Sequence, residues 1–196
     1  MKNFNVRITG TEILSDERYK LSKVFFDYHR RSGKWQAQVR EVYDRGDGAA
    51  VLMLDRTRRT VILTRQFRLP TYLNGLEDGL MLEVCAGVID PGENPADTMR
   101  REIQEETGFK INHITKLFDV YMSPASVTEK IHFFLADYTP AQRISEGGGE
   151  EAEQEDVETV EYTFDEVFTL LEGHQINDAK TLLLLQYGKL NGLFNS

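Results

Sequence analysis

Three glutamates, Glu102, Glu105 and Glu106, fall within five consecutive residues of a segment that keeps helical spacing throughout. At 100° per residue with Ala96 at zero, Met99 and Ile103 fall at about 300° and 340°, a narrow apolar face. Glu102 at about 240° and Glu106 at about 280° then point along the edge of that face. Glu105, at about 180°, stands further round towards solvent. Like charges one turn apart repel, and half-buried ones do so strongly. Such a helix is a poor structure unless a cation sits beside it. Hard oxygen ligands select Mg2+, with Mn2+ as a substitute. A metal held this way can neutralise diphosphate oxygens and organise an attacking water. Arg101, at about 140°, is placed to steady the carboxylates from the side, with Glu93 as its expected partner.

A solvated acidic helix face is the competing explanation, and a bare ExxEE does not exclude it. The wider spacing does more. Gly87 is followed after five residues by Glu93, then after seven by Arg101-Glu102-Ile103; Glu105-Glu106 and Gly108-Phe109 come next, each pair set off by one residue. This resembles the Nudix box at every defined position. The resemblance implies an α/β fold, an α/β/α sandwich with a mixed sheet, and attack of water on a phosphorus of a diphosphate. It also implies that the carbonyl of Ala86 joins Glu102 and Glu106 as metal ligands. Ala86 and Gly87 would line the substrate, and Glu105 and Glu106 would act in catalysis.

Two further features select a branch. Pro124 lies sixteen residues past Gly108 in Tyr121-Met122-Ser123-Pro124. This is similar to the marker of the ADP-ribose pyrophosphatase branch, whose members carry an N-terminal β-domain used for dimerisation. Stretches from Arg40 to Ala49, Thr64 to Gly75, Lys116 to Pro124, Val127 to Tyr138 and Asp178 to Leu185 resemble the bacterial GDP-mannose pyrophosphatase family. Departures from that pattern occur at Val39, at Arg18-Tyr19 and at Ala125-Ser126. The resemblance implies that Arg40, Glu41, Arg68, Glu129 and Lys180 contact a nucleotide-sugar. It also implies a homodimer with shared active sites. A loop carboxylate would complete the metal site, Glu155 by alignment through Gly147-Gly148-Gly149, with Glu153 as the fallback. The expected reaction is GDP-mannose to GMP and mannose 1-phosphate. The alternatives are ADP-ribose hydrolysis to AMP and ribose 5-phosphate, or an inactive ligand-sensing module, which would be expected to lose the metal-binding glutamates retained here.

These residues need elements to position them. Alternating stretches at Asn5 to Leu14, Tyr19 to Tyr28 and Lys34 to Tyr43 predict an N-terminal β-meander, residues 1–45, ahead of a hydrolase domain over 46–196. Strands are expected at Ala49 to Leu54, Thr60 to Arg65 and Leu82 to Cys85, the last leading into a loop, Ala86 to Glu93. The acidic helix has Asn94 as cap, Pro95 at its first position and Gly108 as its stop. Further strands follow near His113 to Met122, Ile131 to Ala136 and Val157 to Tyr162. Between the last two, Thr139 to Asp156 reads as a long mobile loop with the Gly triplet as hinge. Thr163 with Glu166 forms a capping box, and Asp178 opens the last helix.

Composition sets the outer bounds. With 196 residues, 40% of them hydrophobic, the chain can build a sizeable core. A net charge of −9 argues against nucleic acid or an anionic membrane as partner, since both require a basic footprint. Cys85 is the one cysteine, which rules out an intrachain disulfide and suggests a core thiol. No apolar run approaches the ~20 residues of a membrane span and no signal peptide opens the chain, so a cytoplasmic protein is expected.

Overall fold

The computed structural model describes residues 5–150 and 155–195. The chain divides into two compact units, Met1–Asp47 with Tyr121–Lys130, and Gly48–Val120 with Ile131–Ser196.

The first unit is an antiparallel meander of β1 (Val6–Asp16), β2 (Lys20–His29) and β3 (Trp35–Asp44), in that spatial order. Gly33, at φ 80°, closes the β2–β3 turn with its N–H on the Arg30 carbonyl at 2.9 Å. The segment 121–130 joins this unit because Tyr43 exchanges backbone bonds with Ser126 and Thr128 of the segment. Tyr43 N–H reaches Ser126 O at 2.8 Å and Thr128 N–H reaches Tyr43 O at 3.0 Å. No residue of β1, β2 or β3 is buried, so the meander has no core of its own.

The second unit is built on a mixed seven-stranded sheet. Its strands are β4 (Gly48–Asp55), β5 (Thr60–Phe67), β6 (Leu80–Glu83), β7 (Ala86–Val88), β8 (Thr115–Tyr121), β9 (Lys130–Asp137) and β10 (Val157–Thr163). The main path runs β10-β5-β4-β9-β8, with β6 against β5 and β7 against β4. Every residue of β4 is buried, as expected of a central strand running parallel to β9 and covered on both faces. Its odd residues Ala49, Val51 and Met53 share a core with Met99 and Ile103 of the acidic helix, α2 (Pro95–Thr107). The opposite face carries α3 (Phe164–Glu172) and α4 (Ala179–Leu190). There Phe118 meets both Phe133, at 5.1 Å, and Tyr187 of α4, at 5.3 Å. The result is the α/β/α sandwich that the sequence predicts.

The start and stop of α2 obey local rules. Asn94 accepts from the Ala96 N–H at 2.9 Å, Pro95 takes the first position, and Gly108 ends the helix at φ 76°. Asp178 caps α4 by accepting from Thr181 N–H at 2.9 Å, and Thr163 caps α3 within a capping box. Three short elements escape the sequence patterns: α1 (Leu69–Leu73), β7, and a 3-10 turn at Pro140–Gln142.

The stretch expected to be a long mobile loop is bonded at three points to the end of α2. Ile144 N–H binds Gly108 O at 2.8 Å, Gly148 N–H binds Glu106 O and Gly149 N–H binds Glu105 O, both at 3.0 Å. The Gly triplet is therefore a clamp on the end of α2 rather than a hinge. Its physical role is close approach: a Cβ on Gly147 would strike the Glu106 carbonyl, and one on Gly108 would strike the Ser145 carbonyl. The orphan carbonyls of the last helical turn need donors, and these glycines let a backbone near enough to supply them. Among the described residues no helix is long and apolar enough to cross a membrane.

Gly108→Ala should cost about 1–3 kcal/mol in urea unfolding, from its positive φ and the backbone collision together. Gly92→Ala, at φ 87° with open space around it, should cost about 1 kcal/mol, from φ alone. Equal losses would show that the clamp does not hold the helix end.

Candidate active site

The helix edge comes out as its spacing predicts. Glu102 and Glu106 are buried at 8% and 3% exposure, while Glu105 is less covered. Glu106 receives the Ala86 N–H at 3.3 Å and the Cys85 thiol proton. Burial pushes its pKa up to about 8, the charges of Glu102 and Glu155 push the same way, and the two donors pull against them. Arg101 spans the other acids. It stands 2.8 Å from Glu105, 3.0 Å from Glu102 and 3.5 Å from Glu93, the partner expected from sequence. Burial works against the Arg101 charge, but Glu102 and Glu105 hold its pKa well above the usual arginine value.

Gly87 is required by close approach rather than by a turn. It lacks a positive φ, and a Cβ there would collide with the Glu102 carboxylate. Gly92 does adopt a positive φ. Residues 86–88 form strand β7 rather than loop, which fixes Ala86 against β4 through the pair Ala50↔Ala86. Cys85 is fully buried, and burial, followed by the charge of Glu106, raises its pKa well above the ordinary thiol value, as suits an inert thiol.

Glu155 contributes its charge at Glu106, and its carboxylate accepts the Glu150 N–H at 3.2 Å. Glu153 lies outside the described residues. Arg68 and Lys180 are each already paired. Arg68 makes a two-pronged bond to Glu83, at 3.2 and 2.6 Å, and Lys180 reaches Asp178 at 2.7 Å. Glu83 was missed in the sequence; its one signal is an acid closing the apolar run Leu80-Met81-Leu82, which a buried strand tolerates only with a cation at hand.

Arg40, Glu41 and Glu129 belong to the first unit, and the other candidates to the second. Arg40 and Glu41 are exposed on β3, where Arg40 folds back on its own strand, bonding the Val39 carbonyl at 2.7 Å and Gln38 at 3.1 Å. Glu129 is half-buried and stands 3.3 Å from Arg45. Among the described residues, no three Asp, Glu, His or Cys side chains already converge as a metal cage. Glu102 and Glu105 instead lean on Arg101.

Comparison with known proteins places this geometry. The NUDIX domain family matches residues 44–185, and the family described as GDP-mannose pyrophosphatase NudK N-terminal domain matches residues 5–43. The chain belongs to the Nudix family of hydrolases, and it is an enzyme acting on diphosphate bonds. Its relatives include a GDP-mannose pyrophosphatase of Pectobacterium atrosepticum, 47% identical over 189 residues and 96% of each chain. Another, from Escherichia coli O1:K1, is 42% identical over 190 residues, covering 97% of this chain and 98% of that one. A solved structure described as an ADP compounds hydrolase superposes with a TM-score of 0.68 at 25% identity, over 96% of both chains.

Gly87→Ala should fold with an intact sheet yet lose at least about tenfold in diphosphate hydrolysis, because the new methyl displaces Glu102. Wild-type turnover in this variant would show that the position of Glu102 is immaterial.

Proposed function

We propose that this chain hydrolyses a nucleotide-sugar, GDP-mannose foremost, to GMP and mannose 1-phosphate in a Mg2+-dependent reaction for which Mn2+ can substitute. The observation that carries the reading is the pair Glu102 and Glu106, buried one helical turn apart at 8% and 3% exposure; burial first, then the charges of Glu102 and Glu155, push the Glu106 pKa up to about 8. An all-oxygen donor set with surplus negative charge fits a hard divalent cation. Glu102, Glu106, Glu155 and the Ala86 carbonyl would hold it. When bound, it would supply positive charge against the diphosphate oxygens and acidify water.

The protein's own groups do the rest. Water adds to one phosphorus, the bridging P–O bond breaks, and the two phosphate products separate. Glu105, steadied by Arg101, and Glu155 orient the water and take its proton. Arg68 and Lys180 are charge-assisted donors for the phosphate oxygens, and Ala86 and Gly87 border them. Arg40, Glu41 and Glu129 bind the sugar and nucleoside ends. A second reading, ADP-ribose to AMP and ribose 5-phosphate, draws on the likeness to the ADP compounds hydrolase.

The active form in this proposal is a homodimer with shared sites, its first 45 residues serving dimerisation and substrate contact. The coreless meander supports it: Val6, Ile8, Ile13 and Leu14 of β1 are exposed, and a three-stranded sheet without a buried face needs cover. A lone buried cysteine suits a reducing compartment, and the cytoplasm is the setting proposed.

Product analysis on a nucleotide-sugar panel with Mg2+ in labelled water should give GMP and mannose 1-phosphate most rapidly; faster ADP-ribose cleavage would favour the second reading. In the same assay Glu106→Gln should lower kcat at least about a hundredfold with folding intact. Glu155→Gln should lower kcat far more than it weakens binding, and Glu153→Gln should do little. Near-normal turnover of Glu106→Gln would refute the metal assignment.

Light scattering at micromolar concentration should give a dimer. Mixing Arg40→Ala with Glu106→Gln subunits should restore part of the activity, by forming one intact shared site. A fully active monomer would overturn the dimer proposal.

A further inference from the structure

Four consecutive residues, Glu83 to Ala86, tie down three parts of the second unit. The Glu83 carboxylate, at 6% side-chain exposure, takes the Nε–H and an Nη2–H of Arg68. The Val84 N–H donates to the Thr181 hydroxyl at 2.7 Å. Cys85 and Ala86 both donate to Glu106. Thr181 is fully buried, and its hydroxyl passes its own proton to Asp178 at 2.7 Å. The other oxygen of Asp178 holds Lys180 at 2.7 Å. A continuous run of bonds thus joins Arg68, Glu83, Thr181, Asp178 and Lys180 to the backbone that also carries the Glu106 contact.

The manner of pairing matters as much as the pairing. Guanidinium has five N–H donors in a rigid fork. Glu83 occupies the Nε side, and Nη1 has no hydrogen bond among the described residues while the side chain stays 39% exposed. The fork is therefore locked at one edge and open at the other. Lys180 has three donors and spends one on Asp178. Each cation is fixed in place with donors to spare, the condition that limits the entropy lost on gripping an anion.

We propose that Glu83 and Asp178 are positioning residues, two buried carboxylates that hold Arg68 and Lys180 pre-organised to take the phosphate oxygens of the substrate, with Thr181 linking the two clamps. The proposal rests on the reading that Arg68 and Lys180 contact substrate. Neither clamp is needed for the metal or for the water. Their loss acts on substrate binding.

The test is steady-state hydrolysis of GDP-mannose at saturating Mg2+ by Glu83→Gln, Asp178→Asn, Arg68→Ala and Lys180→Ala, with melting temperatures measured alongside. Glu83→Gln keeps the shape and removes only the charge that pairs with Arg68. Asp178→Asn keeps a good helix cap, so α4 stays intact. Each should raise KM about tenfold, the size of one charge-assisted hydrogen bond, with kcat falling less than about threefold. In the Arg68→Ala background, Glu83→Gln should add less than about twofold, since nothing remains for it to position. A purely structural role would instead lower the melting temperature and give KM effects that multiply. If Arg68→Ala and Lys180→Ala raise KM but the two carboxylate variants do not, the positioning role fails and the substrate contacts stand. If the cation variants leave KM unmoved, both fall together.

Discussion

A carboxylate taken out of water is among the most costly groups a fold can hold, and this one buries two of them a single helical turn apart. Glu106 is 3% exposed and Glu102 8%. Much of the surrounding structure answers that cost. Arg101 takes up Glu102 and Glu105, and the Ala86 N–H and the Cys85 thiol donate to Glu106. Gly87 gives up its side chain so that Glu102 can lie against the strand. The helix adds to the burden, because its carboxyl end carries partial negative charge beside Glu105 and Glu106. Gly148, Gly149 and the Thr159 hydroxyl quench it by donating to the carbonyls of these same two residues.

The sheet makes room for this arrangement by splitting. β4 and β5 pair only near their shared turn, through Met53↔Ile62 to Asp55↔Thr60. Beyond that they diverge. β7 takes up the freed edge of β4, from Gly48 to Ala50, and β6 that of β5, from Thr64 to Phe67. The link between β6 and β7 is Val84-Cys85, held in the fork by Val51 N–H on the Cys85 carbonyl at 3.0 Å. A strand pair that stayed zipped would fill this gap with its own ladder. Splitting instead leaves backbone N–H groups at the fork, and those of Val84 and Ala86 are the ones that reach Thr181 and Glu106.

What the sequence discloses follows the range of the interaction. The faces of α2, its Asn94 cap, its Gly108 stop and the Arg101–Glu93 partnership are all legible. Each depends on neighbours within about two turns, where spacing and geometry are the same information. Glu83 with Arg68, fifteen residues apart, becomes visible only once β5 and β6 pair. The Gly triplet was misread for a related cause. Glycine serves flexibility and close approach alike, and only the carbonyls of Glu105 and Glu106 show which applies here. β7, three residues long, carries too little pattern to separate from loop.

The distribution of charge has a consequence for what such a site can hold. Arg68 is partly neutralised by Glu83, Lys180 by Asp178, and Arg101 by three acids, in a chain of net charge −9. Burial works against the Arg68 charge, yet Glu83, Glu106 and Asp178 together keep it above its ordinary pKa, so the field there is negative on balance. A free anion approaching this edge meets repulsion that the committed cations only locally offset. On the reading proposed above, an anion arriving together with a divalent cation would meet the reverse, since Glu102 and Glu106 would then face positive charge. Under the proposed reading, binding of the diphosphate and of the metal are therefore reciprocally linked, each raising the affinity for the other. The buried carboxylates that burden the empty fold would be the source of that linkage.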